Sequence, residues 1–193
     1  MWKKTLPFAI LALTAFAAEA QHAHASKYAG QENRAIKSLS DEDIAELKRG
    51  GGWGLARAAE LNGLPGPAHL LELKNEIGLS EAQLEKITAL HGDMRTKAIA
   101  EGERLIGLEQ ALEDKFRTGT VSDDELRRAL SEIADSRARL RFIHLSTHLR
   151  TPAILSAEQV ARYNTLRGYT ENPCASVPEG HDPVMWRRHN NCN

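Results

Sequence analysis

Four side chains carry the clearest chemistry in this sequence: His91, Met94, His144 and His148. His91 and Met94 are three residues apart, and His144 and His148 are four apart, so on helices each pair shares a face. Imidazole nitrogen suits zinc, nickel, cobalt and copper, and a thioether tilts the set toward copper. The pairs meet if the segments bearing them fold back on each other about Gly119. His91 lies 28 residues before that glycine and His144 lies 25 after it, which places His144 opposite Met94. All four then share one level of an antiparallel hairpin, remote from its turn. His69 joins them as an extra ligand if its own segment folds back over this end. The plainer alternative makes the histidines structural, bonding a carboxylate or carbonyl, and makes Met94 a core filler.

The elements that must position these residues are helical. From Ser80 to Arg117 there is no proline, and Leu84, Ile87, His91, Met94, Ala98, Leu105, Leu108, Leu112 and Phe116 fall mainly at steps of three and four. Thr118-Gly119-Thr120 ends that run. Ser122-Asp123-Asp124-Glu125 caps the next helix, which continues to Arg150 and stops at Pro152. Two helices of about 38 and 28 residues joined by a tight turn make an antiparallel hairpin on the order of 40–60 Å long at 1.5 Å per residue. Its apolar stripe needs cover from short flanking helices or from a second subunit. Those short helices start at Ser40, ending at Gly50-Gly51-Gly52; at Trp53, running to Leu61; and at Pro67, running to about Ile77. Strand signals are nearly absent, so the expected class is all-α.

The N-terminus reads as a secretory signal over residues 1–20. Lys3 and Lys4 precede the uncharged, mostly apolar run Thr5 to Ala18, with small-residue cleavage sites after Ala20 or after Ala25. That run is short against the roughly 20 residues of a membrane span, so release to the periplasm is favoured over an uncleaved anchor. Residues 21–37 read as a flexible lead, 38–168 as the helical domain and 169–193 as an irregular tail. His22 and His24 belong to the lead and are not ligand candidates. Removal of Lys3, Lys4 and Glu19 leaves 23 basic and 25 acidic side chains. That balance offers no basic patch or stripe for nucleic acid.

Cys174 and Cys192 are the two cysteines of the chain. In an oxidising compartment a disulfide closing the tail is the favoured reading, with metal ligation helped by His181 or His189 as the weaker one. No CxxC, G-x-S-x-G, Walker loop or HExxH occurs, and His144-Leu145-Ser146-Thr147-His148 lacks the glutamate a zinc hydrolase uses as base. The chain does not read as an enzyme. Arg137, Arg139 and Arg141 either line a surface for acidic partners or snorkel along a packed helix. Trp53, beside three glycines, reads as a packing anchor for the N-terminal helices, with an exposed client-binding role as the weaker alternative.

One phrase occurs twice. Leu79-Ser80-Glu81-Ala82-Gln83 and Leu155-Ser156-Ala157-Glu158-Gln159 each place a serine N-cap three residues before a glutamine that can close a capping box. The leucine before each cap can staple onto Leu84 or Val160. The pair resembles the repeated LTxxQ signature of the Spy/CpxP family of periplasmic chaperones and metal or stress sensors, with serine in place of threonine. The likeness extends from Leu39 to Tyr169 and includes the stretch from Ala58 to Leu73. It implies a bent helical hairpin with flanking helices, paired as a cradle-shaped homodimer whose concave face holds unfolded or partly folded proteins. An envelope sensor protein is a further partner it suggests. The strongly basic character associated with the family's chaperones is missing here. No cofactor is required on this reading; the alternative is a metal sensor or resistance protein binding zinc, nickel, cobalt or copper through His91, Met94, His144 and His148.

Overall fold

The computed structural model describes residues 26–170, 174–190 and 192. The signal segment, its cleavage sites and His22 and His24 lie outside the described residues. Residues 26–33 belong to a separate N-terminal unit and form turns closed by Ala29 N–H to Ser26 O and Gln31 N–H to Tyr28 O. All regular structure among the described residues is helical, and no helix there is long and apolar enough to cross a membrane.

From Arg34 onward the helices are α1 (Asp41–Lys48), α2 (Arg57–Glu60), α3 (Pro67–Glu72), α4 (Lys74–Ile77), α5 (Glu81–Thr118), α6 (Asp123–Arg150), α7 (Ala157–Leu166) and α8 (Pro183–His189). A single 3-10 turn, Pro152–Ile154, joins α6 to α7. Helix α5 starts at the capping box of Ser80 and Gln83 and ends at Gly119, whose φ of 66° is the left-handed cap that a side chain disfavours. Helix α6 opens on the box of Ser122 and Glu125. The two run antiparallel, as their cross-bonds show: Lys115 with Glu125 at 2.8 Å, Glu109 with Arg137 at 2.8 Å, and Ser136 Oγ donating to Glu101 at 2.6 Å.

The hairpin stripe is covered by this chain's own short helices. One core cluster joins Ile36, Leu39 and Leu47 to Ala98 and Leu105 of α5 and Ile133 and Leu140 of α6. A second joins Leu70 and Ile77 to Ile87 of α5 and Tyr163 of α7. Each fully buried Leu or Ile contributes about 1.5–3 kcal/mol relative to exposure. The crossing of α1 over α5 is so close that a Cβ on Gly102 would stand 2.6 Å from the Leu47 carbonyl oxygen.

Four expectations need correction. The lead does not stay free as far as Lys37: Ile36 is buried in the first cluster, and Lys37 pairs with Glu113 at 2.9 Å. The helix expected from Trp53 forms only over Arg57–Glu60, because Trp53 (φ 43°) and Gly54 (φ 68°) both adopt left-handed backbone. The helix expected from Pro67 to Ile77 is split at Leu73, since such short pieces have little cooperativity of their own and follow the packing of Leu70 and Ile77. The tail is not wholly irregular. Asp182 accepts from Met185 N–H at 2.8 Å and Pro183 occupies the first helical position, two start signals that together launch α8. Cys174 and Cys192 are joined in a disulfide with Cα atoms 5.5 Å apart, as the compartment argument favoured.

Candidate functional site

The repeated phrases meet at the base of the hairpin. Each serine and glutamine closes its own capping box at the start of α5 and of α7. The spare amide hydrogens then cross over: Gln83 Nε2 donates to Gln159 Oε1 at 2.8 Å, and Gln159 Nε2 donates to Gln83 Oε1 at 3.0 Å. Gln83 also donates to Ile154 O at 2.9 Å, and Gln159 to Gly78 O at 3.1 Å. One amide thus satisfies its own helix start and ties it to the other.

One level further along, α5 and α6 present the four residues that the spacing brings together. His91, Met94, His144 and His148 all line one cleft of about 500 Å³, and His69 reaches it from α3. Trp53, Leu61 and Pro67 supply apolar wall, and Glu46, Glu60 and Arg167 supply charge. The antiparallel register is therefore as expected, and α3 folds back over this end, the condition set for His69 to join the four.

The individual histidines differ. His148 is 5% exposed, and its Nδ1 bonds the Leu64 carbonyl oxygen at 2.8 Å. Its ring fills the space a Cβ on Gly66 would need, at 2.7 Å. His144 is 3% exposed and its Nε2 has no hydrogen-bond partner among the described residues. Burial holds its pKa below the ordinary histidine value; His148 adds to that shift, and Glu46 opposes it. His91 is half-buried and shifted the same way, first by burial and then by Arg95. His69 bonds Glu72 through Nδ1 at 2.9 Å, and Arg167 lies 3.3 Å from its Nε2. Met94 is buried. Among the described residues no three His, Cys, Asp or Glu side chains stand together as a ready ligand set for a metal ion.

Two features of the cleft lie beyond what residue spacing can place. Glu60 Oε1 accepts from Tyr163 Oη at 2.5 Å and Tyr169 Oη at 2.9 Å, with Arg167 Nε 3.4 Å away, unaligned for a hydrogen bond. Partners about a hundred residues distant cannot be paired from spacing. Trp53 is held by Asp43, which accepts its Nε1–H at 2.7 Å, and by the Arg137 guanidinium 5.2 Å from its ring. Here the run of glycines was the visible sign that the backbone needed unusual freedom. Arg137 also pairs with buried Glu109, whereas Arg139 and Arg141 are exposed.

The fold and site define an all-helical hairpin protein whose base is locked by two capping glutamines and whose flank carries a cleft of apolar wall and imidazoles. Comparison with protein-family models, with curated proteins and with solved structures finds no match.

Proposed function

We propose that this chain is a periplasmic, ATP-independent chaperone or envelope stress-response protein that holds partly folded proteins by weak, reversible contact. The observation that carries this reading is the cleft, where Trp53, Leu61 and Pro67 offer apolar wall beside polar groups and Leu61 stands 60% exposed. Apolar contact is non-directional, so such a surface accepts many sequences, and the surrounding polar groups keep water close and binding weak. The paired LSxxQ caps support the same reading through their resemblance to Spy/CpxP proteins. Its test is the aggregation of a chemically denatured client diluted into buffer with stoichiometric protein. Suppression that weakens in Leu61→Asp is expected; aggregation unchanged by wild type overturns the proposal.

A second reading, a metal sensor or resistance protein, is favoured by one observation: the buried His144 Nε2 without a partner, in a cleft shared with His91, Met94 and His148. These residues would hold zinc, nickel, cobalt or copper. Calorimetric titration with each ion, repeated on the His144→Ala/His148→Ala double variant, decides it. Equal affinity in both proteins removes the site.

A further inference from the structure

Arg57 of α2 and Arg141 of α6 line one concavity of about 490 Å³, and they are its only charged residues. Apolar wall stands beside them: Leu55 is half-buried, Ala58 is exposed and Leu61 is 60% exposed. Among the described residues neither guanidinium has an ion-pair or hydrogen-bond partner. The residues around each explain why. Arg137, Ala138, His144 and Leu145 stand one helical turn either side of Arg141, and from Ser136 to Arg150 α6 holds no acid. Arg57 has Glu60 three residues on, but that carboxylate accepts from the Tyr163 and Tyr169 hydroxyls at 2.5 and 2.9 Å, with Arg167 Nε 3.4 Å away. Gly54 makes room for the Arg57 guanidinium: a Cβ there would stand 3.3 Å from Nη2, on backbone already left-handed at φ 68°.

We infer that this concavity binds a phosphate monoester carried on a small apolar group. A guanidinium is a planar fork of donors that stays charged and pairs with two oxygens at once. One fork satisfies the edge of a carboxylate. Two forks from separate helices suit a group with three terminal oxygens and nearly two negative charges. An anion held between the two cations also offsets their mutual repulsion. Leu55, Ala58 and Leu61 then cover the apolar part of the ligand and take its surface out of water. A phospholipid headgroup and a soluble phosphate ester share this chemistry. The concavity adjoins the histidine cleft, with Arg57 and Leu61 in both, but Arg141 is not part of the cleft. The inference rests on neither function proposed for that cleft.

The test is calorimetric titration of the full folded chain with dihexanoyl phosphatidic acid below its micelle concentration, phenyl phosphate, inorganic phosphate and hexanoate. At least one of the two esters is expected to bind, with inorganic phosphate and hexanoate weaker by about tenfold or more. Phosphatidic acid alone supports the inference with a lipid headgroup as the source, and phenyl phosphate binding supports it with a soluble ester. Arg57→Gln and Arg141→Gln, both at exposed positions, are expected to keep the wild-type circular dichroism and each to weaken ester binding by about tenfold or more. Arg139→Gln, at an exposed arginine outside the concavity, is expected to change it less than about twofold. The inference is overturned if neither ester binds, or if inorganic phosphate or hexanoate binds as tightly as the esters. Ester binding that Arg57→Gln and Arg141→Gln leave intact, or that Arg139→Gln weakens equally, overturns it too.

Discussion

Gln83 and Gln159, 76 residues apart, exchange reciprocal amide hydrogen bonds while each also closes the cap of its own helix. Each amide oxygen accepts from its N-cap backbone N–H, at 3.0 Å from Ser80 and 2.9 Å from Ser156, as well as from the other glutamine. The relationship explains why the phrase is repeated: two helix starts, far apart in sequence, are stapled through the same chemistry.

Gln83→Ala removes both bonds of that exchange together with its own cap bond, and leaves the Gln159 amide with one donor and one acceptor partner fewer. A net hydrogen bond is worth about 0.5–1.5 kcal/mol, so each single variant is expected to lose roughly 1–3 kcal/mol in urea unfolding. Because each removal orphans the other amide, the double variant Gln83→Ala/Gln159→Ala is expected to lose less than the sum. Additive losses would show that the two caps act independently.

Gly102 and Gly107 lie on the same helix but in opposite circumstances. A Cβ at Gly102 meets the Leu47 carbonyl oxygen at 2.6 Å, whereas a Cβ at Gly107 meets nothing within 4 Å. Gly107→Ala should therefore stabilise by up to about 1 kcal/mol through helix propensity alone. Gly102→Ala should destabilise despite the same propensity gain, because α1 must move off α5. Thermal midpoints of the two variants, moving in opposite directions, check the crossing.

Tyr163 is fully buried and donates to Glu60 Oε1 at 2.5 Å, and both burial and that carboxylate push its pKa up. Tyr163→Phe keeps the packing and deletes the donor. The cost expected is about 1–3 kcal/mol, the penalty for an under-satisfied carboxylate, since Tyr169 and Arg167 remain. A loss below a few tenths, read by denaturant unfolding, would mean that the hydroxyl carries no weight there.

The cleft histidines give a pH dependence with a definite sign. His144 and His91 have pKa values lowered by burial below the ordinary 6.5. Just below that value the unfolded chain binds more protons than the folded one, so stability falls as pH drops from 6.5 toward the folded-state values. Above 6.5 their contribution is constant. Urea midpoints are expected to be lower at pH 5 than at pH 7.5, with a shallower slope in His144→Leu. An unchanged slope in that variant would exclude His144 as a source.

Much of the secondary structure is legible because its signals are local. Ser40, Ser80, Ser122 and Ser156 each cap the helix that follows, through a side chain reaching only three residues along. Gly119 marks the hairpin turn, and a fixed turn with 1.5 Å per residue is enough to place His91 and Met94 level with His144 and His148. What escaped local reading is equally specific. Trp53 takes left-handed backbone because Asp43 and Arg137 hold its ring, and those partners come from other helices.

By itself, then, the sequence determined where the four serine-capped helices start and stop, that the long pair runs antiparallel, and which side chains share a level. Tertiary structure alone decided that His148 is tied to Leu64 while His144 Nε2 is left without a partner, that Glu60 gathers two tyrosines, and that the repeated glutamines clasp each other. The reason is range: capping and periodicity act over three or four residues, whereas burial and cross-bonding depend on which distant surfaces the packing of short helices on the hairpin brings into contact.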